Sequence, residues 1–431
     1  MAKPLRLGIA GLGTVGVGVV KIVQQHGDLL QRRAGRKVEI TSVSARDASK
    51  DRGVDLSAYD WVEQAVDLAK RDDVDVVVEL IGGSEGPAKD LVEKALDSGK
   101  SVVTANKALL AHHGYELAGL AEGNDAALTY EAAVAGGIPI IKAMREGFSG
   151  NDIHAVYGIL NGTCNYMLTA MRETGRDFDV ILKEAQQAGY AEADPSFDID
   201  GIDAGHKLAL LSAIAFGVRP DFESLKIEGI RKITAHDIKA ADELGYRIKL
   251  LGIAKRLEGQ LMQVLEPCLV PLSNPVALIE DVYNAVYVDC DALETSLLTG
   301  KGAGEGPTSS AVMADIIDLA RGNTITTFGV PASTLEQANW MSVDATVSAY
   351  YLRLQVLDKP GVIADVSAIL RDQNISIESL IQRCRDPHQP VPVVLTTHET
   401  RHGDIMAACK AFADLDVIVE EPCLMRIEAL S

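Results

Sequence analysis

Asp203 and Lys207 stand four residues apart, just ahead of the apolar run Leu208–Phe216. On a helix over Gly201–Phe216 that spacing puts a carboxylate and an ammonium on one face. As an exposed pair they would be worth roughly 0.3–0.5 kcal/mol. The next two turns, LALLSAIAF, are too apolar to face water, so the helix must enter a core and hold its charged start at a rim. A charged start held at such a rim points to an active site rather than a surface ion pair. The preceding residues belong to the same stretch, GYAEADPSFDIDGIDAGHK from Gly189, which also carries Glu192 and Asp198.

Composition narrows what surrounds this stretch. The chain has 431 residues, with 47% hydrophobic and 24% charged content, enough for two to four packed domains. Net charge is −20 and no basic stripe is found, which argues against a nucleic-acid partner. The six cysteines form no CxxC pair and no ladder of spacings, so neither a zinc site nor a disulfide framework is expected. No apolar run reaches about 18 residues, and the glycine-punctuated start lacks a signal-peptide layout. No membrane span and a cytoplasmic location are expected.

The elements that position the chemistry begin at the N-terminus. Leu5–Ala10 reads as a buried strand, Gly11-Leu12-Gly13-Thr14-Val15-Gly16 as a GxGxxG turn, and Val15–Gln25 as a helix. Glycines there allow a tight turn and bring backbone N–H groups against a pyrophosphate at a helix N-terminus. A second strand, Val38–Ser44, follows a polar insertion at Gly27–Lys37. Its end offers Ser44-Ala45-Arg46 rather than an acid, and a cation there suits a 2′-phosphate. NADP is therefore favoured, while Asp47 keeps NAD open. Asp73–Leu80 reads as a strand ended by Gly82-Gly83, Pro87–Ser98 as a helix, and Ser101–Thr104 as a strand. Lys107 then falls just past a strand's carboxyl end, where open α/β sheets bind ligands. His112-His113 have no partner at a ligand spacing and are expected on a solvated helix face. Ala127–Tyr130 reads as a fifth strand, and Glu131–Pro139 as an irregular, glycine-bearing turn with exposed carbonyls.

From about Ile138 to Thr308 helices alternate with half-solvated strands. Asp152–Leu160 reads as a strand, Asn161–Asn165 (NGTCN) as a turn rich in donors, and Tyr166–Glu173 as the helix it opens. Lys301–Thr308 is a second glycine-rich loop before a helix Ser309–Arg321, which is expected to return to the first domain.

GLGTVG, TANKALL at Thr104–Leu110, LNGTCNYML at Leu160–Leu168, GYAEADPSFDIDGIDAGHKLALL and KGAGEGPTSSAV together resemble the homoserine dehydrogenases. The resemblance covers essentially the whole chain. No aspartate kinase segment precedes the fingerprint, so a monofunctional form is expected. The resemblance implies reversible reduction of aspartate 4-semialdehyde to homoserine with NADPH or NADH. It implies Lys207 as the catalytic lysine, Asp203 as its partner, and Lys107 as a second active-site lysine, with the choice of proton carrier left open. Glu192 would meet the substrate ammonium, and Asp198, Asn161 and Thr163 would complete the substrate site. The glycine turn Gly11–Gly16, Arg46, Gly82, Lys107, Gly189 and Gly304 would border the cofactor. A sodium ion would be held by Glu131, Val134, Gly136 and Ile138, through carbonyls and one carboxylate. Gly306 departs from the apolar side chain of many relatives.

Asn323–Ala345 reads as a connector. Tyr350–Leu357, Val362–Gln373, Ile375–Arg383, Val391–Thr397, Gly403–Ala413 and Val417–Glu421 then read as β-α-β-β-α-β, with a polar hairpin loop at Arg383–Pro390. DKPGVIADVSAIL followed by NISIESLIQR resembles an ACT domain. Such domains are ferredoxin-like, pair edge to edge and bind amino acids, so threonine is the expected effector and a dimer or tetramer the expected assembly. The fold expected overall is α/β. It comprises a Rossmann-type domain (1–137), an α+β mixed-sheet catalytic and dimerisation domain (138–308), a return helix and connector (309–345) and an ACT domain (346–431). Two other readings compete. Cys164 could be the thioester nucleophile of a phosphorylating semialdehyde dehydrogenase, or a small packed residue. The chain could also be a non-catalytic sensor of a dinucleotide and an amino acid.

Overall fold

The structure is a computed structural model that describes residues 2–382 and 389–430. Most of the hairpin loop expected at Arg383–Pro390 lies outside the described residues. Two compact units are formed, Met1–Gly162 with Gly205–Leu225 and Tyr283–Ala338, and Thr163–Ala204 with Lys226–Val282 and Asn339–Ser431.

In the first unit six parallel strands build one sheet: β1 (Leu5–Ala10), β2 (Val38–Ser44), β3 (Asp60–Trp61), β4 (Val76–Glu79), β5 (Ser101–Thr104) and β6 (Leu128–Thr129). Their order is β3-β2-β1-β4-β5-β6. Strand order reverses between β1 and β4, so the crevice beyond their carboxyl ends is the expected dinucleotide seat. β4 is buried along its whole length, as a strand covered by helices on both faces should be. β3 escapes a reading for hydrophobic runs because it has two residues, one of them Asp60.

The fingerprint helix α1 is longer than its apolar pattern suggests, Thr14–Ala34 rather than Val15–Gln25. The polar stretch after Gly27 is helix, not insertion. Only His26 leaves helical geometry, and Gly35, at φ +76°, ends the helix in the left-handed region that glycine tolerates. The helix Glu305–Arg321 packs on α1 through Gly18, where an added Cβ would lie 2.7 Å from Ser309 Oγ. Its Ala311, Val312 and Ile316 share the core of β1 and β2, so the expected return to the first domain occurs. The unit also holds three antiparallel strands, Ile153–Ile159, Tyr283–Cys290 and Thr295–Lys301.

The second unit carries a long antiparallel pair, Tyr246–Leu257 with Gln260–Pro271, and the β-α-β-β-α-β module. The module's last strand is Cys423–Ile427, not Val417–Glu421. The charge of Arg426 hides it from a hydrophobic reading. Arg426 is 2% exposed, and its Nε lies 2.6 Å from Glu266 Oε1 on the neighbouring strand. The strand bridges Gln260–Pro271 on one side and Val347–Leu357 on the other.

Candidate active site

Each glycine of the first turn has a distinct physical task. Gly11 sits at φ +98°, and a Cβ there would lie 2.4 Å from the Leu80 carbonyl oxygen. A Cβ on Gly16 would lie 2.0 Å from Gly11 O. Both are excluded by backbone packing. Gly13 has nothing within 4 Å of the same construction, so its open side is room for a ligand, beside the first-turn N–H groups that a helix leaves without partners. The turn therefore fits a dinucleotide pyrophosphate.

Across the crevice, Glu79 is fully buried at the end of β4. Its Oε1 accepts the N–H groups of Ile81 (2.7 Å) and Gly82 (3.1 Å), and its Oε2 accepts the Thr104 hydroxyl at 2.6 Å. Asn106 donates to Gly83 O at 2.7 Å and caps α2 (Lys107–Gly123) by accepting Leu109 N–H. Lys107 is thus the first residue of a capped helix, not a loop residue. Glu79 and Asn106 were not singled out from the sequence. Their signal is a polar side chain at the carboxyl end of a strand.

Arg46 is exposed at the end of β2. Asp47 is engaged locally: its Oδ1 accepts Ser49 N–H and Oγ–H at 2.8 and 2.7 Å, and these bonds hold its carboxyl below the usual range. Arg52, also not singled out, donates to the carbonyls of Leu12 and Asp47 at 3.3 and 2.6 Å. It adds a second cation beside the glycine turn.

Asp203 and Lys207 both lie on the helix Ile202–Phe216, one turn apart, 6% and 8% exposed. Lys207 Nζ donates to Leu160 O at 2.7 Å, so the carbonyl at the end of the strand Ile153–Ile159 fixes the ammonium. Asn161, 5% exposed, follows immediately. His206 packs against Phe222 with ring centroids 4.2 Å apart and edge-on to His112 at 5.3 Å. His113 pairs with Glu85. The two histidines expected on a solvated face are therefore engaged in the structure. No group of three or more His, Cys, Asp or Glu fit to hold a metal occurs among the described residues.

The NGTCN stretch is a helix start, not a turn: the helix runs Gly162–Thr174. Within the second unit Thr163 Oγ1 donates to Tyr190 O at 2.8 Å and lies 3.4 Å from Asp198 Oδ2. Glu192 is exposed, its carbonyl accepting Gln186 Nε2 at 3.0 Å. Gly189, at φ +78°, follows the helix Phe178–Gln187. Lys249, unremarked in the sequence, is 3% exposed and donates to Asn165 Oδ1 at 3.1 Å and to the Ile279 carbonyl. Burial lowers its pKa to about 8.

Cys164 is fully buried and its Sγ donates to Asp198 O at 3.3 Å. That is the geometry of a packed donor, which serine preserves. Cys164→Ser is expected to keep kcat within about threefold of the parent. Near-total loss in steady-state assays would restore the thioester reading.

The Glu131–Ile138 turn is strained and held from outside. Ala135 and Gly136 have φ +54° and +51°, and a Cβ on Gly136 would lie 2.3 Å from Gly302 O. The two Glu131 carboxylate oxygens accept Ile141 and Lys142 N–H at 3.0 and 2.9 Å. Each of these oxygens keeps a further lone pair, so the carboxylate can also face a cation beside the turn's main-chain carbonyls. Glu131 N–H donates to Asp315 at 2.8 Å, and Lys142 faces Asp315 at 3.5 Å. Burial, then the Asp315 charge, raises Glu131 to about 7; burial raises Asp315 to about 6. Raised carboxyl pKa values mean that the folded state holds protons the unfolded state releases. This contribution is complete below the unfolded values near 4 and is lost as pH rises through 6 to 7. Asp315→Asn keeps the acceptor and removes the charge. It is expected to flatten the fall in thermal midpoint between pH 5 and pH 8, and an unchanged slope would contradict this reading.

Comparison with known proteins gives the family. Family models described as "Homoserine dehydrogenase, NAD binding domain", "Homoserine dehydrogenase" and "ACT domain" match residues 11–131, 139–317 and 350–417. The chain is 43% identical to a homoserine dehydrogenase of Neisseria gonorrhoeae, over 99% of each chain. It is similar to the crystal structure of a homoserine dehydrogenase from Thiobacillus denitrificans, with TM-score 0.93 and 42% identity over 100% of this chain and 99% of that one. It is also similar to a hyperthermophilic archaeal homoserine dehydrogenase in complex with NADPH, with TM-score 0.63 and 27% identity over 73% of this chain and 97% of that one. The glycine turn, the lysine-bearing helix and these matches make the chain a member of the homoserine dehydrogenase family of NAD(P)-dependent oxidoreductases, with a C-terminal ACT domain.

Proposed function

We propose that the chain interconverts L-aspartate 4-semialdehyde and L-homoserine, with NADP(H) preferred over NAD(H). The observation that carries the proposal is Lys207: a buried ammonium, anchored on Leu160 O one helical turn after a buried Asp203. When bound, the nicotinamide supplies a hydride to the aldehyde carbon, or accepts one from the alcohol in reverse. Lys207 gives its proton to the oxygen as negative charge develops there, and takes it back in the opposite direction. Asp203 orients the ammonium. Glu192 meets the substrate ammonium, and Asn161, Thr163 and Asp198 hold the rest of the amino-acid head. Lys107, beside the Asn106 cap, contributes a second cation at the cofactor edge.

Arg46 and Arg52 support the NADP preference, as does the engagement of Asp47 by Ser49, which leaves it a poor partner for a ribose diol. The archaeal relative's NADPH is in line with it. Gly189 and Gly304 border the cofactor. A sodium ion would be held by Glu131, Val134, Gly136 and Ile138, through main-chain carbonyls and the Glu131 carboxylate; a hard cation suits such oxygens. The ACT domain binds threonine and pairs with that of a second copy, so the assembly is at least a dimer. Organisation into domains 1–137, 138–308, 309–345 and 346–431 accompanies this division of labour.

Steady-state oxidation of homoserine with NADP and with NAD, each with and without threonine, tests the proposal. Turnover is expected with both, at a higher kcat/KM with NADP, and threonine is expected to lower it. Arg46→Ala is expected to raise the KM for NADP by about tenfold, one charge-assisted bond's worth, and to leave that for NAD unchanged. No turnover with either cofactor would favour the sensor reading.

A further inference from the structure

Lys249 is a buried charge to which the proposed reaction gives no task. It stands on the strand Tyr246–Leu257, opposite Cys268 in the antiparallel pair with Gln260–Pro271. Pairing along its whole length makes that strand a firm base. The residue is 3% exposed, and an ammonium so buried is costly unless its donors are used. Its Nζ donates to Asn165 Oδ1 at 3.1 Å and to the Ile279 carbonyl. Both acceptors are neutral oxygens. Burial lowers its pKa to about 8, which leaves the ammonium charged at neutral pH. For stability alone, well-packed apolar side chains commonly serve as well as a buried charge and its partner. What the charge adds is a short, strong and directed bond.

That bond falls on the first turn of a helix. Asn165, Thr169 and Arg172 are spaced to share one face of the helix Gly162–Thr174. All three bond residues 279–281. Asn165 Nδ2 donates to Ile279 O at 3.1 Å, Thr169 Oγ1 accepts Asp281 N–H at 3.1 Å, and Arg172 donates to Glu280 at 2.7 Å. Lys249 closes the first of these contacts, because it bonds both Asn165 Oδ1 and Ile279 O. Thr163 and Cys164 of the same turn meet a different segment, through the carbonyls of Tyr190 and Asp198. The first turn is thus held between Lys249 and the stretch that carries Glu192 and Asp198.

We infer that Lys249 is a positioning residue for the substrate: its ammonium locks Asn165 and so holds the Thr163 hydroxyl and the Asp198 carboxylate where they receive the amino-acid head. The inference rests on the substrate reading of Thr163 and Asp198 given above. Lys249 acts through Asn165 and is assigned no contact with the reacting atoms.

Thermal melts and steady-state kinetics of the full chain test the inference, with rates read well below the midpoint of every variant. Lys249→Met takes a donor from Asn165 and is expected to lower the thermal midpoint. Lys249→Met combined with Asn165→Leu replaces both partners by apolar groups of similar volume and is expected to recover the midpoint. A group that served stability alone would recover the KM for homoserine with it. Instead, that KM is expected to stay about tenfold or more above the parent in the double variant, with the KM for NADP unchanged and a smaller fall in kcat. Thr163→Ala is expected to raise the KM for homoserine by about tenfold. Added to the double variant it is expected to raise it by only about threefold or less, because the hydroxyl is already out of place. A homoserine KM that returns to the parent value with the midpoint, or equal rises in both KM values, overturns the inference while Thr163→Ala still marks the substrate site. Full additivity of Thr163→Ala with the double variant overturns it as well. An unchanged KM in Thr163→Ala alone overturns the substrate reading, and this inference with it.

Discussion

Lys207→Ala is expected to lower kcat for homoserine oxidation by about 10²-fold or more, the ordinary range for loss of a positioned proton-transfer group. The environment of Lys207 sets the size of the effect. Lys207 is 8% exposed and its Nζ is tied to Leu160 O at 2.7 Å. A charged group so buried needs partners to offset its desolvation, and an ammonium has three donors. One of them holds the main chain; the proposal directs another to the substrate oxygen. A group that acted only in binding would raise KM and leave kcat intact, so the split between the two constants separates the roles. Lys107→Ala is the comparison: at the first position of α2, beside the cofactor edge, it is expected to raise the KM for NADP more than it lowers kcat. The reverse pattern in the two variants would exchange the assignments.

The second large effect separates two glycines three residues apart. Gly16→Ala puts a Cβ 2.0 Å from Gly11 O, with no side chain to yield, so the backbone of the turn must open. The cost expected is about 1–3 kcal/mol, as for other overpacked sites. It should appear as a lower thermal midpoint without cofactor and about 10- to 100-fold weaker NADPH binding. Gly13→Ala meets no protein atom within 4 Å, and φ −80° suits alanine. It is expected to leave the cofactor-free midpoint nearly unchanged and still weaken NADPH by about tenfold or more, because the added methyl enters the space proposed for the pyrophosphate. Fluorescence titration with NADPH and thermal melts of both variants check this. Equal NADPH affinity of Gly13→Ala and the parent would move the cofactor away from the turn.

How much could be read without coordinates depended on how local the cause was. β1, β2 and β5 are short β-branched or apolar stretches, and their bounds agree with the sequence reading residue for residue. The helix that carries Asp203 and Lys207 begins within one residue of its expected start, because Gly201 at φ +90° marks it. What failed was decided by partners distant in sequence. Cys423–Ile427 is a strand because Glu266 neutralises Arg426 from another strand. α1 continues past Gln25 through a stretch whose Leu30 and Ala34 join the core. Among site residues, glycines and lysines carry a signature in their own motif. Glu79, Asn106, Arg52 and Lys249 act by holding other residues' backbone or amide groups, and no local pattern announces that.

The most direct measurement is a crystal structure of the chain with homoserine and NADP bound together. The account expects Lys207 Nζ within hydrogen-bond reach of the substrate hydroxyl, about 3 Å, with Asp203 behind it and the nicotinamide facing the carbon that bears that hydroxyl. A substrate hydroxyl bonded to Lys107 instead, with Lys207 remote and no water between, would contradict it.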